Sequence, residues 1–378
     1  MYEKTYGTKL EVKPYTKNEE DFHNTGTYYA QLAEDLLGGN GPDLVILSTE
    51  FGADIYKMMR DGVFLDLNQF ILDDVNFDLS LYQDSVMDAG MFMGERYLIP
   101  LMYSVPLMIT NTDMMYRYGV TREDFSTYDR FLDTTENLLT TFDMRLDCWV
   151  GLVNYLNFSG CFSETIGFDD GTIYMEQPSF RKLVDLSKRS YTHSDKFGYV
   201  QDYAIFSEVA AYEYSFSTTL EPLFMVEKYL TEADAAHVEM VMIPLPNDYG
   251  CNTARVSCYC LIPATSSNIE GAWNLIKMLL SEEIQSSLNN NYSVGVMTGY
   301  IESTIRNVNS NHYGVSEKDI TELISIYLSC DNAVLADNPL GMLVLGEIGD
   351  YIHNPMPFEY FSHEKNISKT NLELWLQQ

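Results

Sequence analysis

A glycine-rich helix stop that runs straight into an apolar strand, GGNGPDLVIL at 38–47, restricts this chain more than any other stretch. Upstream, Tyr28, Tyr29, Leu32, Ala33, Leu36 and Leu37 fall on one face at helical spacing, with Gly38 placed just past the helix end. Leu44, Val45, Ile46 and Leu47 are too few for a helix and have no polar face, so they read as a strand buried on both sides of a parallel sheet. Residues 9–13, KLEVK, alternate as a more exposed strand would, which completes a strand-helix-strand unit. In an open α/β sheet ligands sit beyond the carboxyl ends of the strands. That places candidate binding residues at 14–17 and at Ser48, Thr49, Glu50 and Phe51.

The 378 residues exceed what one core usually supports, so two lobes are expected. A formal charge of −32 repels phosphate backbones and anionic lipid heads, which disfavours nucleic acid and membrane-surface partners. No run of about eighteen apolar residues is present, and residue 1 does not open a basic-then-apolar signal segment. Cys251, Cys258 and Cys260 lack a partner pair at zinc-like spacing and read as small core residues; no metal and no cofactor is expected. The acidic pairs show no calcium-loop spacing, and the six histidines show no ligand spacing.

Further elements follow in order. Met91 to Pro100 reads as a tight hairpin, and Pro100 and Pro106 bracket a loop or crossing segment that holds Tyr103 and Ser104. Leu107 to Thr110 is a strand, and Asn111, Thr112 and Asp113 cap a helix reaching Tyr118. Gln177 and Pro178 open a helix carrying Phe180, Leu183, Val184 and Leu186. Val256, Cys258, Cys260 and Ile262 alternate against Ser257 and Tyr259 as a strand with one face in a core. Ser267 and Glu270 form a capping box for a helix with Ala272, Trp273, Ile276, Leu279, Leu280 and Ile284 on its apolar stripe, so Trp273 belongs to the core.

Collinear motifs then resemble one family. GPD at 41–43 before a buried strand, GVFLDL at 62–67, GERYLIP at 94–100, TNTDMM at 110–115 and TYDRF at 127–131 resemble segments of the extracellular solute-binding proteins of carbohydrate ABC importers. AWNLIKMLLSEEIQ at 272–285 is the most specific match, GVMT at 295–298 lacks the family's proline, and LELWLQ at 372–377 lines up loosely with its last helix.

The resemblance implies a type II periplasmic binding protein fold, α/β, with two discontinuous lobes and a hinge: residues 1–111 plus 264–302 as lobe 1, and 112–263 plus 303–378 as lobe 2. The family opens with a signal, a first strand and a complete first helix, whereas residues 1–7 resemble only the end of that helix. The first strand of lobe 1 is therefore expected to be missing. The implied function is capture of a sugar or oligosaccharide by a monomer that delivers it to permease transmembrane subunits, from a cell-surface lipoprotein or periplasmic location. No catalytic set is visible, so no enzyme activity is expected.

A sugar site needs rings for stacking and side-chain oxygens for hydroxyls. Tyr15 and Phe51 follow the first two expected strands, Tyr103 lies in the proline-bracketed loop, Trp149 opens an expected helix of lobe 2, and Tyr212, Tyr214 and Phe216 lie where the family often contributes a cleft residue. Glu50 is the candidate acceptor for hydroxyls, with Ser48 and Ser104 beside it. The alternatives are a same-fold protein for a peptide or polyamine, suited to the acidic surface, or a sensory ectodomain.

Overall fold

The computed structural model describes residues 1–13, 25–48, 55–141, 166–167, 172–173, 178–197, 216–217, 240–247, 250, 252–288, 293–312 and 316–335. In chain order the described strands are β1 (Val45–Ser48), β2 (Met91–Phe92), β3 (Glu95–Arg96), β4 (Leu98–Ser104), β5 (Leu107–Asn111), β6 (Ile166–Gly167), β7 (Thr172–Ile173), β8 (Phe216–Ser217), β9 (Met240–Pro244), β10 (Thr253–Leu261), β11 (Val294–Gly295) and β12 (Asn332–Leu335).

Two sheets matter for function. The larger runs β1-β10-β4-β11, with β12 also paired to β10, and the smaller runs β8-β5-β9. β10 is antiparallel to both β1 and β4, from Val45↔Leu261 to Ser48↔Cys258 on one edge and from Leu98↔Leu261 to Ser104↔Arg255 on the other. β1 and β4 therefore run the same way but never touch, because an antiparallel strand separates them. The expected parallel pairing is replaced at that point.

Three expectations change with this topology. The expected division put residues 253–261 in lobe 2, yet β10 is the central strand of the larger sheet, while β5, expected in lobe 1, pairs with β8 and β9 in the smaller one. Alternation names the face a strand buries and leaves its partner open. Residues 9–13 form no strand among the described residues, and Val12 is 78% exposed. β1 is not buried on both faces: Val45 is in the core but Ile46 is 50% exposed.

Local chemistry explains most elements. Residues 25–37 form a helix whose Leu32 and Leu36 enter the core, and Gly39, not Gly38, takes the left-handed conformation after it. Tyr2–Tyr6 is a helix closed by a left-handed Gly7, and the Tyr2 hydroxyl donates to the Gly271 carbonyl at 3.0 Å. β2 and β3 form the expected hairpin around Met93 and Gly94, both with positive φ, the turn geometry that matches strand twist.

The segment bracketed by Pro100 and Pro106 is strand rather than loop, since β4 runs through Pro100 to Ser104. β11 pairs with β4 only at Met102 and Tyr103. Pro100, which has no N–H to offer, thus lies where one edge of β4 carries no ladder among the described residues.

The larger sheet is covered by helix faces that the spacing foretold. Ala272, Trp273 and Ile276 of the Ile269–Leu279 helix are buried, and the helix is capped by Asn268, whose side chain accepts from the Gly271 N–H, rather than by Ser267. Trp273 packs between Phe70 and Phe77 at 6.0 and 5.2 Å between ring centroids. Its Nε1 donates to Asp74 at 2.9 Å, as does Lys277 Nζ at 2.6 Å. Those two donors, Lys277 foremost, hold the Asp74 carboxyl down at about 2. Phe180, Leu183, Val184 and Leu186 of the Pro178–Phe197 helix are buried as expected.

Candidate ligand-binding site

Two chain crossings join the sheets side by side. β4 ends at Ser104, passes through buried Val105 and Pro106, and enters β5 in the smaller sheet. The return starts at β9, where Leu107 pairs with Pro244 and the Leu245 N–H donates to the Pro106 carbonyl at 3.0 Å. Asn247 then turns the chain: its Oδ1 accepts from the Gly250 N–H at 3.1 Å and from Thr253 Oγ1 at 3.1 Å, and β10 begins. A pair of extended segments tied by few hydrogen bonds can absorb a change in angle while each sheet stays rigid.

A third tie comes from the Glu317–Leu328 helix, which contacts β9 and packs on the larger sheet through Tyr327. Its Glu322 forms an ion pair with Arg122 at 2.5 Å, and Arg122 Nη1 also donates to the Met242 carbonyl of β9 at 2.7 Å. Asn252, just before β10, donates to the Ile326 carbonyl of the same helix at 2.8 Å.

Beside the crossings the larger sheet presents one rim. Ser48, the last residue of β1, is opposite Cys258, and Ser104, the last of β4, is opposite Arg255. Both strand ends therefore converge on residues 255–258 of β10. Glu50 and Phe51 follow Ser48 by two and three residues but lie outside the described residues, as do Tyr15, Trp149, Tyr212 and Tyr214. Phe216 lies in β8, paired with Met108 in the smaller sheet, and its side chain, like that of Ser48, is outside the description. Ser104 is buried at the rim.

Tyr103 is corrected from cleft to core. It pairs with Val256 and Val294, both fully buried, so its side chain shares their face. Its hydroxyl donates to the Tyr327 carbonyl at 2.8 Å, and the two rings lie 5.6 Å apart. Burial pushes its phenol well above the usual range.

Sequence reading missed the polar side of β10. Ala254 and Val256 enter the core, which leaves Thr253 and Arg255, both buried, on the opposite face. The signal was visible as TARVS at 253–257, where polar residues alternate with apolar ones. At the same rim the Cys258 thiol is pushed up to about 11 by burial and is neutral at physiological pH. Among the described residues no group of three histidine, cysteine or acidic side chains could hold a metal, and no helix is long and apolar enough to cross a membrane.

Comparison with known proteins agrees with this architecture. Residues 2–141 match the family described as bacterial extracellular solute-binding protein. Among solved structures, the chain is similar to the sugar-binding protein MalE from Xanthomonas citri, at 12% identity and a TM-score of 0.62 over 98% of this chain and 92% of that one. It is also similar to an ABC transporter solute-binding protein from Thermotoga lettingae bound with α-D-tagatose, at 15% identity and a TM-score of 0.52 over 99% and 93%. The cyclic α-maltosyl-1,6-maltose binding protein from Arthrobacter globiformis gives 13% identity and a TM-score of 0.55 over 92% and 88%. A comparison with curated proteins gives no match. The chain has the two-lobed α/β fold of the periplasmic-type solute-binding proteins. The matched family is extracellular, and these relatives are binding proteins.

Proposed function

We propose that this protein is the substrate-binding component of an ABC importer, which captures a sugar or oligosaccharide between two lobes and hands it to membrane permease subunits. The observation that carries the reading is the paired crossing at Pro106 and Leu245, which links two separate sheets beside a rim where β1 and β4 end. Lobe 1 is the body built on β1, β4, β10, β11 and β12, and lobe 2 the body built on β5, β8 and β9. A ligand that touches both lobes only when they are shut shifts the population toward the shut form by its differential affinity. No covalent step is involved, and the chain acts as a monomer outside the cytoplasm, as a cell-surface lipoprotein or a periplasmic protein.

A polyamine is the second reading, favoured by the charge of −32. A thermal-shift screen of D-tagatose, D-galactose, maltose, mannotriose, amino acids and spermidine separates the two. A sugar at one hundred times its Kd is expected to stabilise the native state by about 2.7 kcal/mol. A shift given by spermidine alone would defeat the carbohydrate reading.

A further inference from the structure

β10 has neighbours on both edges, β1 and β12 on one side and β4 on the other, yet its burial is uneven. Ser257 and Cys258 are half-buried, whereas residues 253–256 and 259–261 are buried. The cause is a bulge. Val256 pairs with Tyr103 and Cys258 with Met102, so Ser257 is an extra residue with no place in the β4 ladder, and the register shifts again between Cys258 and Tyr259. The Ser257 hydroxyl oxygen is itself covered and has no hydrogen-bond partner. Leaving a hydroxyl covered and unbonded weakens a fold.

The place of the bulge gives it meaning. Cys258 faces the end of β1 at Ser48, and Arg255, two residues earlier, faces the end of β4 at Ser104. The bulge therefore lies between the two strand ends that form the rim. We infer that the Ser257 bulge is the point of the return strand that meets the ligand, where its hydroxyl exchanges hydrogen bonds with a hydroxyl of a neutral sugar or polyol. This deepens the carbohydrate reading and rests on it.

The chemistry selects that ligand class. A serine hydroxyl both donates and accepts, as sugar hydroxyls do.

The test uses the whole chain as wild type, Ser257→Ala and Ser257→Phe, with D-tagatose, D-galactose, maltose, mannotriose and spermidine as probes. Melting temperatures are read without ligand, and affinities by isothermal titration. Ser257→Ala is expected to keep or raise the melting temperature, because it removes an unbonded polar atom. It should nevertheless weaken the sugar about tenfold, and Ser257→Phe, which places a bulky apolar ring at the bulge, should weaken it at least a hundredfold. Affinity within twofold of wild type in both variants overturns the assignment while leaving the carbohydrate reading intact. Stability and affinity lost together in Ser257→Ala also overturn it, since that is the mark of a structural role. A wild-type chain that none of the sugars stabilises defeats the carbohydrate reading and this assignment with it.

Discussion

Replacing Gly90 by alanine is expected to destabilise the protein by about 3 kcal/mol or more, measured by denaturant unfolding. A Cβ at this position would lie 2.1 Å from the Leu98 carbonyl oxygen and 3.2 Å from its carbon, with the Met87 carbonyl oxygen at 3.3 Å. These are backbone atoms, so no side chain can turn aside. Leu98 cannot retreat: it is fully buried, opens β4 and pairs with Leu261 in the centre of the larger sheet. Gly90 is also held, its N–H donating to the Met87 carbonyl and its carbonyl accepting from the Tyr97 N–H, each at 3.1 Å. Overpacking that moves backbone at the root of a central strand belongs to the severe class of substitutions. Gly299→Ala is the control, because nothing lies within 4 Å of its Cβ and the residue is helical. It should be neutral or stabilising by up to about 1 kcal/mol.

The Asp43→Ala variant is expected to lose about 3 kcal/mol. A single carboxylate oxygen, Asp43 Oδ1, accepts from Ser266 Oγ at 2.9 Å, the Ser267 N–H at 3.0 Å, Ser267 Oγ at 3.3 Å and the Asn268 N–H at 3.0 Å. Those donors form the entry to the Ile269–Leu279 helix, whose N-terminus carries partial positive charge. The GPD motif is therefore a clamp: it fastens the start of β1 to the turn that follows β10, next to the Val45↔Leu261 pair. Alanine leaves the Ser267 N–H and two hydroxyls without this acceptor and the Asn268 N–H with only Ser266 Oγ at 3.2 Å, and bonds to a charged acceptor are the stronger kind. Asp43→Asn keeps an acceptor and gives up the charge, so a loss of about 1 kcal/mol is expected. Equal unfolding midpoints for wild type and Asp43→Ala would show that the clamp contributes nothing.

That clamp shows what could be read in the sequence and what could not. GPD was recognisable as a motif, but its acceptor role depends on residues 266–268, which no local pattern links to position 43. Helix faces were legible because 3.6-residue spacing is a local property: Leu32 and Leu36, Phe180 and Leu183, and Trp273 and Ile276 are buried as the spacing required. Strand partners were not legible. Val256 and Cys260 were rightly placed in a core, yet the partner of their strand was assigned to the other lobe, because alternation is the same whichever neighbour supplies the ladder.

The candidate site was legible in part for the same reason. The end of β1 could be located near Ser48, whereas Ser104, read into a loop, ends β4 at the same rim. Tyr103 was drawn into the cleft by its prolines, whereas its pairing with Val256 and Val294 turns it inward. The bulge at Ser257 could not be foreseen, since an extra residue in a ladder shows only when both strands are known. Residues 9–13 had the pattern of a strand and lack a paired neighbour among the described residues. A pattern alone does not make a ladder.

Closure of two bodies upon a ligand is the central claim, and small-angle scattering tests it most directly. The radius of gyration of the wild-type chain would be measured alone and with a saturating amount of whichever of D-tagatose, D-galactose, maltose or mannotriose raises its melting temperature. The expected result is a smaller radius with sugar and a scattering profile that fits rotation about the crossing at Pro106 and Leu245. Sugar that binds at saturation and leaves the profile superimposable on that of the free chain would contradict it.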